Sequence, residues 1–105
     1  MFKLQTNPTF TAKVPISVPG QAKPVDVDIE FKFLTRKKVA AFFERLREEG
    51  MEDAKALSEI IVGWKGVDEA YSPEALETLL DNYPAASRDL FSAFSRELME
   101  SRSKN

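Results

Sequence analysis

Three acidic residues at alternate positions are the first candidates for chemistry in this chain. Asp26, Asp28 and Glu30 place three carboxylates on one face of any strand that contains them. Carboxylate oxygens are the ligands that Mg²⁺ and Ca²⁺ prefer, so the spacing could hold a hard cation. The same spacing also arises on the solvated side of an amphipathic strand, partly neutralised across a hairpin by Lys13. We favour this second interpretation, and the sequence predicts neither a metal site nor a cofactor.

The chain lacks the side chains on which most enzymes depend. Its 105 residues include no His and no Cys, which removes the commonest general base and metal ligand as well as any thiolate nucleophile. Residues 101–104 match the S-x-x-K pattern of Ser/Lys nucleophiles, but no second motif of such a site accompanies them. Residues 63–66 (Gly-Trp-Lys-Gly) do not form a phosphate-binding loop, since no strand is predicted before them and no helix N-terminus after them. The sequence predicts a protein that is not an enzyme.

Three consecutive cations open a predicted helix. Arg36, Lys37 and Lys38 lie at the positive end of the helix dipole, where each is unfavourable by roughly a few tenths of a kcal/mol. Either these charges contact an acidic partner, or Glu44, Glu48 or nearby carboxylates of the hairpin compensate them. Both interpretations remain open, and the three cations are candidate partner-binding residues. A net charge of −2 gives little attraction to phosphates, so no nucleic-acid partner is predicted.

Trp64 is the only tryptophan and stands in a segment, residues 63–68, that is predicted to be a loop. Tryptophan is enriched at binding hot spots, and loops often carry function. The indole could equally fold back to cap the core, with Gly63 and Gly66 supplying unusual backbone angles. Both interpretations stay open, and Trp64 and Asp68 complete the set of candidate partner-binding residues.

Alternating residues in the first third of the chain predict two strands. Apolar residues occupy every second position over residues 10–18 and again over residues 25–33, with polar residues between them. The connecting residues 19–24, with a proline at each end and a glycine, have the composition of a turn. Because an isolated hairpin is marginal in water, helices or another chain must cover its apolar face.

From Thr35 the apolar period changes to 3.6 and predicts four helices. The first has Thr35 as its N-cap and ends at Gly50, and the second runs from about 53 to 62 with Gly63 after it. Ser72 caps the third helix and Pro84 starts the fourth. Four phenylalanines at helical spacing are predicted to be core: Phe42, Phe43, Phe91 and Phe94.

These elements predict an α+β fold, with an N-terminal β-hairpin followed by about four α-helices in one mostly helical domain. We expect residues 1–34 to form the hairpin, residues 35–100 the helical part and residues 101–105 a flexible tail. No stretch is long and apolar enough to span a bilayer, so no membrane partner is predicted.

Several segments together resemble one family. These are residues 10–20, 31–33, 61–68 and 79–86, and the most specific are Gly-Trp-Lys-Gly-Val-Asp at 63–68 and Asn-Tyr-Pro at 82–84. From about residue 10 to residue 98 the chain resembles the small tail assembly chaperones of long-tailed bacteriophages and related prophages.

The resemblance implies a non-enzymatic assembly factor that binds the tape measure protein and helps recruit tail tube protein subunits. It also implies action in the cytoplasm of the bacterial host, absence from the mature virion and possible homo-oligomers. In this family type a longer, frameshifted product can share the N-terminal domain. The resemblance brings no catalytic residues with it.

Two other functions remain open at this point. One is a minor structural or connector protein of a phage or prophage, which would stay in the particle. The other is a generic protein-binding adaptor, such as an antitoxin-like regulator. Neighbouring genes distinguish them, because a chaperone is expected between a tail tube gene and a very long helical reading frame.

Overall fold

The computed structural model describes residues 1–100, which form a three-stranded sheet and four helices. The elements are β1 (Thr9–Ile16), β2 (Val25–Lys32), α1 (Arg36–Glu49), α2 (Asp53–Ile60), β3 (Ile61–Lys65), α3 (Pro73–Asn82) and α4 (Ala86–Met99). The predicted α+β class, with an N-terminal hairpin before four helices, is confirmed. The S-x-x-K match at residues 101–104 and the flexible tail predicted for residues 101–105 lie outside the described residues.

The sheet is antiparallel in the order β1-β2-β3. In the hairpin Phe10 pairs with Phe31 and Val14 with Val27, so the apolar residues of both strands share one face. Pro15 lies on β1, an edge strand, which is where proline is tolerated in a sheet.

A third strand replaces the predicted end of the second helix and the beginning of the predicted loop. The helix ends at Ile60 and does not continue to residue 62, and residues from Ile61 onward pair with β2. Ile61 lies opposite Phe31 and Trp64 opposite Ile29, so both take positions on the apolar face of the sheet. The pairing register shifts between Glu30 and Phe31, and this bulge breaks the alternation from which a strand would be predicted.

The predicted helix caps of α1 and α3 are confirmed, and the start of α4 is corrected. Thr35 Oγ1 accepts a hydrogen bond from the Lys38 N–H at 3.2 Å, and Ser72 Oγ accepts one from the Ala75 N–H at 3.0 Å. Gly50 ends α1 in the left-handed conformation with φ 60°. The last helix begins at Ala86 rather than at Pro84, because a turn closed by the Ala86 N–H and the Tyr83 carbonyl at 2.8 Å precedes it.

The helices cover the apolar face of the sheet, and α4 packs on β1. Where they meet lies an aromatic group, which we call the phenylalanine cluster; its members are Phe10, Phe31, Phe33, Phe42, Phe43, Phe91 and Phe94. Phe33 is exposed at its edge. Phe31 and Phe94 are fully buried with ring centroids 5.3 Å apart. The prediction of core is confirmed for Phe42 and Phe94, whereas Phe43 and Phe91 are half-buried.

One hydrogen bond joins the end of the first strand to the last helix. The Ser17 N–H donates to a carboxylate oxygen of Asp89 at 2.8 Å, and Asp89 lies in the first turn of α4. This bond ties together residues 72 positions apart in the sequence.

Candidate partner-binding site

Trp64 lies on the edge strand β3 rather than in a free loop. Its ring is half-buried and meets Tyr71 edge-on, with ring centroids 5.1 Å apart. The indole Nε1–H donates to the main-chain carbonyl of Glu69 at 2.8 Å. These two contacts fasten the β3–α3 loop, residues 66–72, to the sheet.

The two glycines beside Trp64 differ in conformation. Gly66 has φ +90°, a backbone angle that residues with a side chain rarely adopt. Gly63 does not have a positive φ, and a Cβ there would lie 3.5 Å from Glu30 Oε1, an ordinary contact distance. The prediction that both glycines supply unusual backbone angles is therefore right for Gly66 and wrong for Gly63.

Trp64 and Asp68 line the same depression between the β3–α3 loop and α3. It measures about 250 Å³, and its floor includes Val67, Leu79 and Tyr83. Asp68 is exposed at its rim. Burial raises the pKa of Tyr71, behind Trp64, above its usual value of 10.0. The structure thus brings together the two candidates that lie close in sequence.

The cations Arg36, Lys37 and Lys38 are all exposed in the first turn of α1, which contains no acidic residue. Within residues 1–100 the side-chain ion pairs are Arg45–Glu59 and Arg88–Asp89, and neither includes these three cations. Compensation by a direct ion pair with Glu44 or Glu48 is therefore not seen in the described part of the chain.

Next to this cluster lies a groove of about 350 Å³, which we call the basic groove. Its lining residues are Lys32, Leu34, Lys38, Ala41, Phe42, Arg45, Glu59 and Ile60. Sequence reasoning named only Lys38 among the cations of this groove. Arg45 could have been found, because positions i and i+7 share one face of a helix. Lys32 could not, because it comes from the end of a strand that only the tertiary fold places beside α1.

The basic groove and the depression at Trp64 share no lining residue. The five candidate residues therefore fall into two sets: Arg36, Lys37 and Lys38 at the start of α1, and Trp64 and Asp68 beside the β3–α3 loop.

The three alternate carboxylates lie on the strand face away from the helices. Asp28 is opposite Lys13, as predicted, and also opposite Lys65 of β3. Thr9 Oγ1 donates to Glu30 Oε2 at 2.7 Å. Residues 1–100 contain no group of three acidic side chains arranged to hold a metal ion. The contacts around Asp28 and Glu30 are those of a polar sheet surface.

The family of the chain follows from comparison with known proteins. None of the helices in residues 1–100 has the length and apolar character of a membrane span. Searches of the curated proteins and of the solved structures return no significant match. A family model described as phage tail assembly chaperone matches residues 1–105, the whole of this sequence. The chain therefore belongs to the phage tail assembly chaperone family.

Proposed function

We propose that this tail assembly chaperone binds the tape measure protein and helps recruit tail tube subunits while the tail is built. The observation that carries the proposal is the family match over residues 1–105. A chaperone of this kind works by holding another polypeptide, which requires surface groups that are free to make contacts. No nucleic acid, membrane or cofactor enters the proposal.

Two surfaces supply such groups in this proposal. The exposed cations Arg36, Lys37 and Lys38 would contact an acidic part of the client, since they make no ion pair within residues 1–100. Trp64 would hold the β3–α3 loop in place through its hydrogen bond to Glu69, so that Asp68 is presented at the rim of the depression.

We further propose that the chain acts in the cytoplasm of the bacterial host, assembles with copies of itself and is absent from the finished virion. Mass spectrometry of purified particles tests the last point, because a chaperone is released while a connector or tail protein stays. Detection of this chain at a stoichiometric level in virions would favour the alternative of a minor structural protein.

Co-expression with the tape measure protein of the same phage tests the main proposal. The tape measure protein is expected in the insoluble fraction when expressed alone and in the soluble fraction, bound to this chain, when the two are expressed together. A triple variant, Arg36→Glu with Lys37→Glu and Lys38→Glu, is expected to lower the soluble yield. The matched control reverses Lys3, Lys23 and Lys55, three exposed cations outside α1. A tape measure protein that stays insoluble with the wild-type chain contradicts the proposal.

A further inference from the structure

The basic groove has the geometry of a helix-binding surface. Four of its lining residues, Lys38, Ala41, Phe42 and Arg45, come from α1 at positions i, i+3, i+4 and i+7. Such a stripe runs for about 10 Å along one helix face. Its middle position is Ala41, an exposed small residue that lets another backbone approach closely.

The floor of the groove is apolar. The ring of Phe42 is almost fully buried beneath it, and Ile60 and Leu34 continue the apolar surface from α2 and from the segment after β2. An apolar floor beside a helix favours an occupant that brings apolar side chains at helical spacing.

The rim of the groove is positively charged. Lys32, Lys38 and Arg45 surround the floor, and Glu59 is the single acidic residue of the lining. Arg36 and Lys37 extend the same charge at the start of α1. An occupant with carboxylates is therefore favoured, and a basic one is repelled.

One carboxylate of the chain already sits at this rim. The two terminal guanidinium nitrogens of Arg45, Nη1 and Nη2, donate to the carboxylate of Glu59, and this contact raises the pKa of Arg45. Both side chains are exposed, at 43% for Arg45 and 36% for Glu59, so this pair can open without uncovering the core. Glu59 thus shows which chemical group the rim accepts, and it would compete with an incoming carboxylate.

We propose that the basic groove binds an acidic amphipathic helix of a client protein. Apolar side chains of that helix cover Leu34, Phe42 and Ile60, and its carboxylates contact Lys32 and Lys38. A further client carboxylate replaces Glu59 at Arg45. That the client is a tail protein rests on the proposed function, whereas the chemistry of the occupant rests on the groove itself.

A synthetic peptide tests the chemistry of the groove without any tail protein. The probe is a fluorescent peptide of about 18 residues, five turns of helix, with Leu at i, i+3, i+4 and i+7 and Glu on the opposite face. The wild-type chain is expected to bind it, and to bind a matched peptide with Lys in place of Glu at least about tenfold more weakly, a difference of about 1.4 kcal/mol.

A double variant of the groove tests the rim. Lys32→Glu with Lys38→Glu is expected to weaken binding of the acidic peptide at least about tenfold, since each reversal places repulsion where attraction was. The control, Lys3→Glu with Lys23→Glu, changes the net charge equally at exposed positions outside the groove and is expected to stay within about twofold of wild type. An equal loss of affinity for the acidic peptide in both variants would show a general effect of net charge and would overturn the proposal.

A variant that is expected to bind the acidic peptide more tightly tests the role of Glu59. Glu59→Gln removes the competing carboxylate, so the affinity for the acidic peptide is expected to rise about two- to fivefold, and more than for Glu77→Gln on the exposed side of α3. Thermal unfolding of each variant checks that the fold is retained. If Glu59→Gln binds no better than Glu77→Gln, the competition by Glu59 is refuted.

The same variants separate this inference from the proposed function. Suppose the wild-type chain solubilises the tape measure protein and the Lys32/Lys38 variant does so equally well; the groove inference then fails while the function stands. If the tape measure protein is not captured but the acidic peptide binds in the groove, the proposed function fails and the groove inference stands. If the groove variant instead abolishes self-association measured by sedimentation, the occupant is a second copy and the client assignment is wrong.

Discussion

The phenylalanine cluster and the corner around Trp64 are both aromatic, but they are held together in different ways. In the cluster, rings from two strands and two helices contact one another, and Phe31 and Phe94 are fully buried. At the corner, Trp64 is half-buried on an edge strand and depends on a hydrogen bond to Glu69 and an edge-on contact with Tyr71. The cluster stabilises the domain as a whole, whereas the corner fixes one loop.

The first way to test this comparison is to remove the ring at the centre of the cluster. Phe94→Ala is expected to lower the free energy of unfolding by about 3–5 kcal/mol, because the cavity left among three elements cannot close. The free energy of unfolding of a small domain is about 5–15 kcal/mol, so this variant is expected to be only marginally stable. Urea denaturation measures the loss, and a value below about 1 kcal/mol would show that the cluster does not dominate the core.

The matching test at the corner is Trp64→Ala, with an expected loss of about 2–3 kcal/mol, smaller because the ring is only half-buried. Trp64→Phe serves as the control, since it keeps a ring beside Tyr71 and removes the hydrogen bond to Glu69. Its expected loss is about 1 kcal/mol. If Trp64→Ala costs as much as Phe94→Ala, the corner belongs to the core and the comparison fails.

The glycines that flank Trp64 sharpen the description of the corner. Gly66→Ala is expected to cost about 1–2 kcal/mol, because φ +90° is strained for any residue with a Cβ. Gly63→Ala is expected to change the free energy of unfolding by less than about 0.5 kcal/mol, since its backbone angle is ordinary and the new methyl group meets Glu30 at contact distance. Chemical denaturation of the two variants side by side decides this, and equal losses would contradict the assignment of strain to Gly66.

The smallest expected effect is a dependence on alkaline pH. Burial holds the pKa of Tyr71 above the value of about 10 that it has in the unfolded chain. As the pH rises past about 10 the unfolded state loses this proton first, so the stability of the wild-type chain declines through the folded pKa. Tyr71→Phe lacks this contribution and is expected to lose less stability over the same range. Parallel slopes for the two proteins would show that the Tyr71 environment is not the cause.

The difference between the two regions also explains what the sequence could predict. The cluster follows from repeated patterns, because period two over β1 and β2 and period 3.6 over α1 and α4 place the phenylalanines on the faces that meet. Thr35, Gly50 and Ser72 marked helix ends for the same local reason.

The corner has no such pattern. Ile61, Val62 and Trp64 favour a strand locally, but β3 has only five residues and the register shift at Glu30 interrupts its alternation. The pattern alone therefore does not separate it from the end of the preceding helix. Part of the lining of the basic groove could not be predicted from the sequence either, because Lys32 and Glu59 belong to elements that meet only in the folded chain. Apolar periodicity along the sequence predicts which face of a strand or helix is buried. The lining of a groove depends in addition on which elements pack together.

The hydrogen bond between Ser17 and Asp89 has a consequence for synthesis on the ribosome. The two residues lie 72 positions apart, and α4 covers the strand that ends beside Ser17. At a translation rate of about 5–20 residues per second, roughly 4–14 s pass between the synthesis of the two residues. During that interval α4 cannot cover the apolar face of β1. The nascent chaperone is therefore itself prone to aggregation until its last helix has been synthesised.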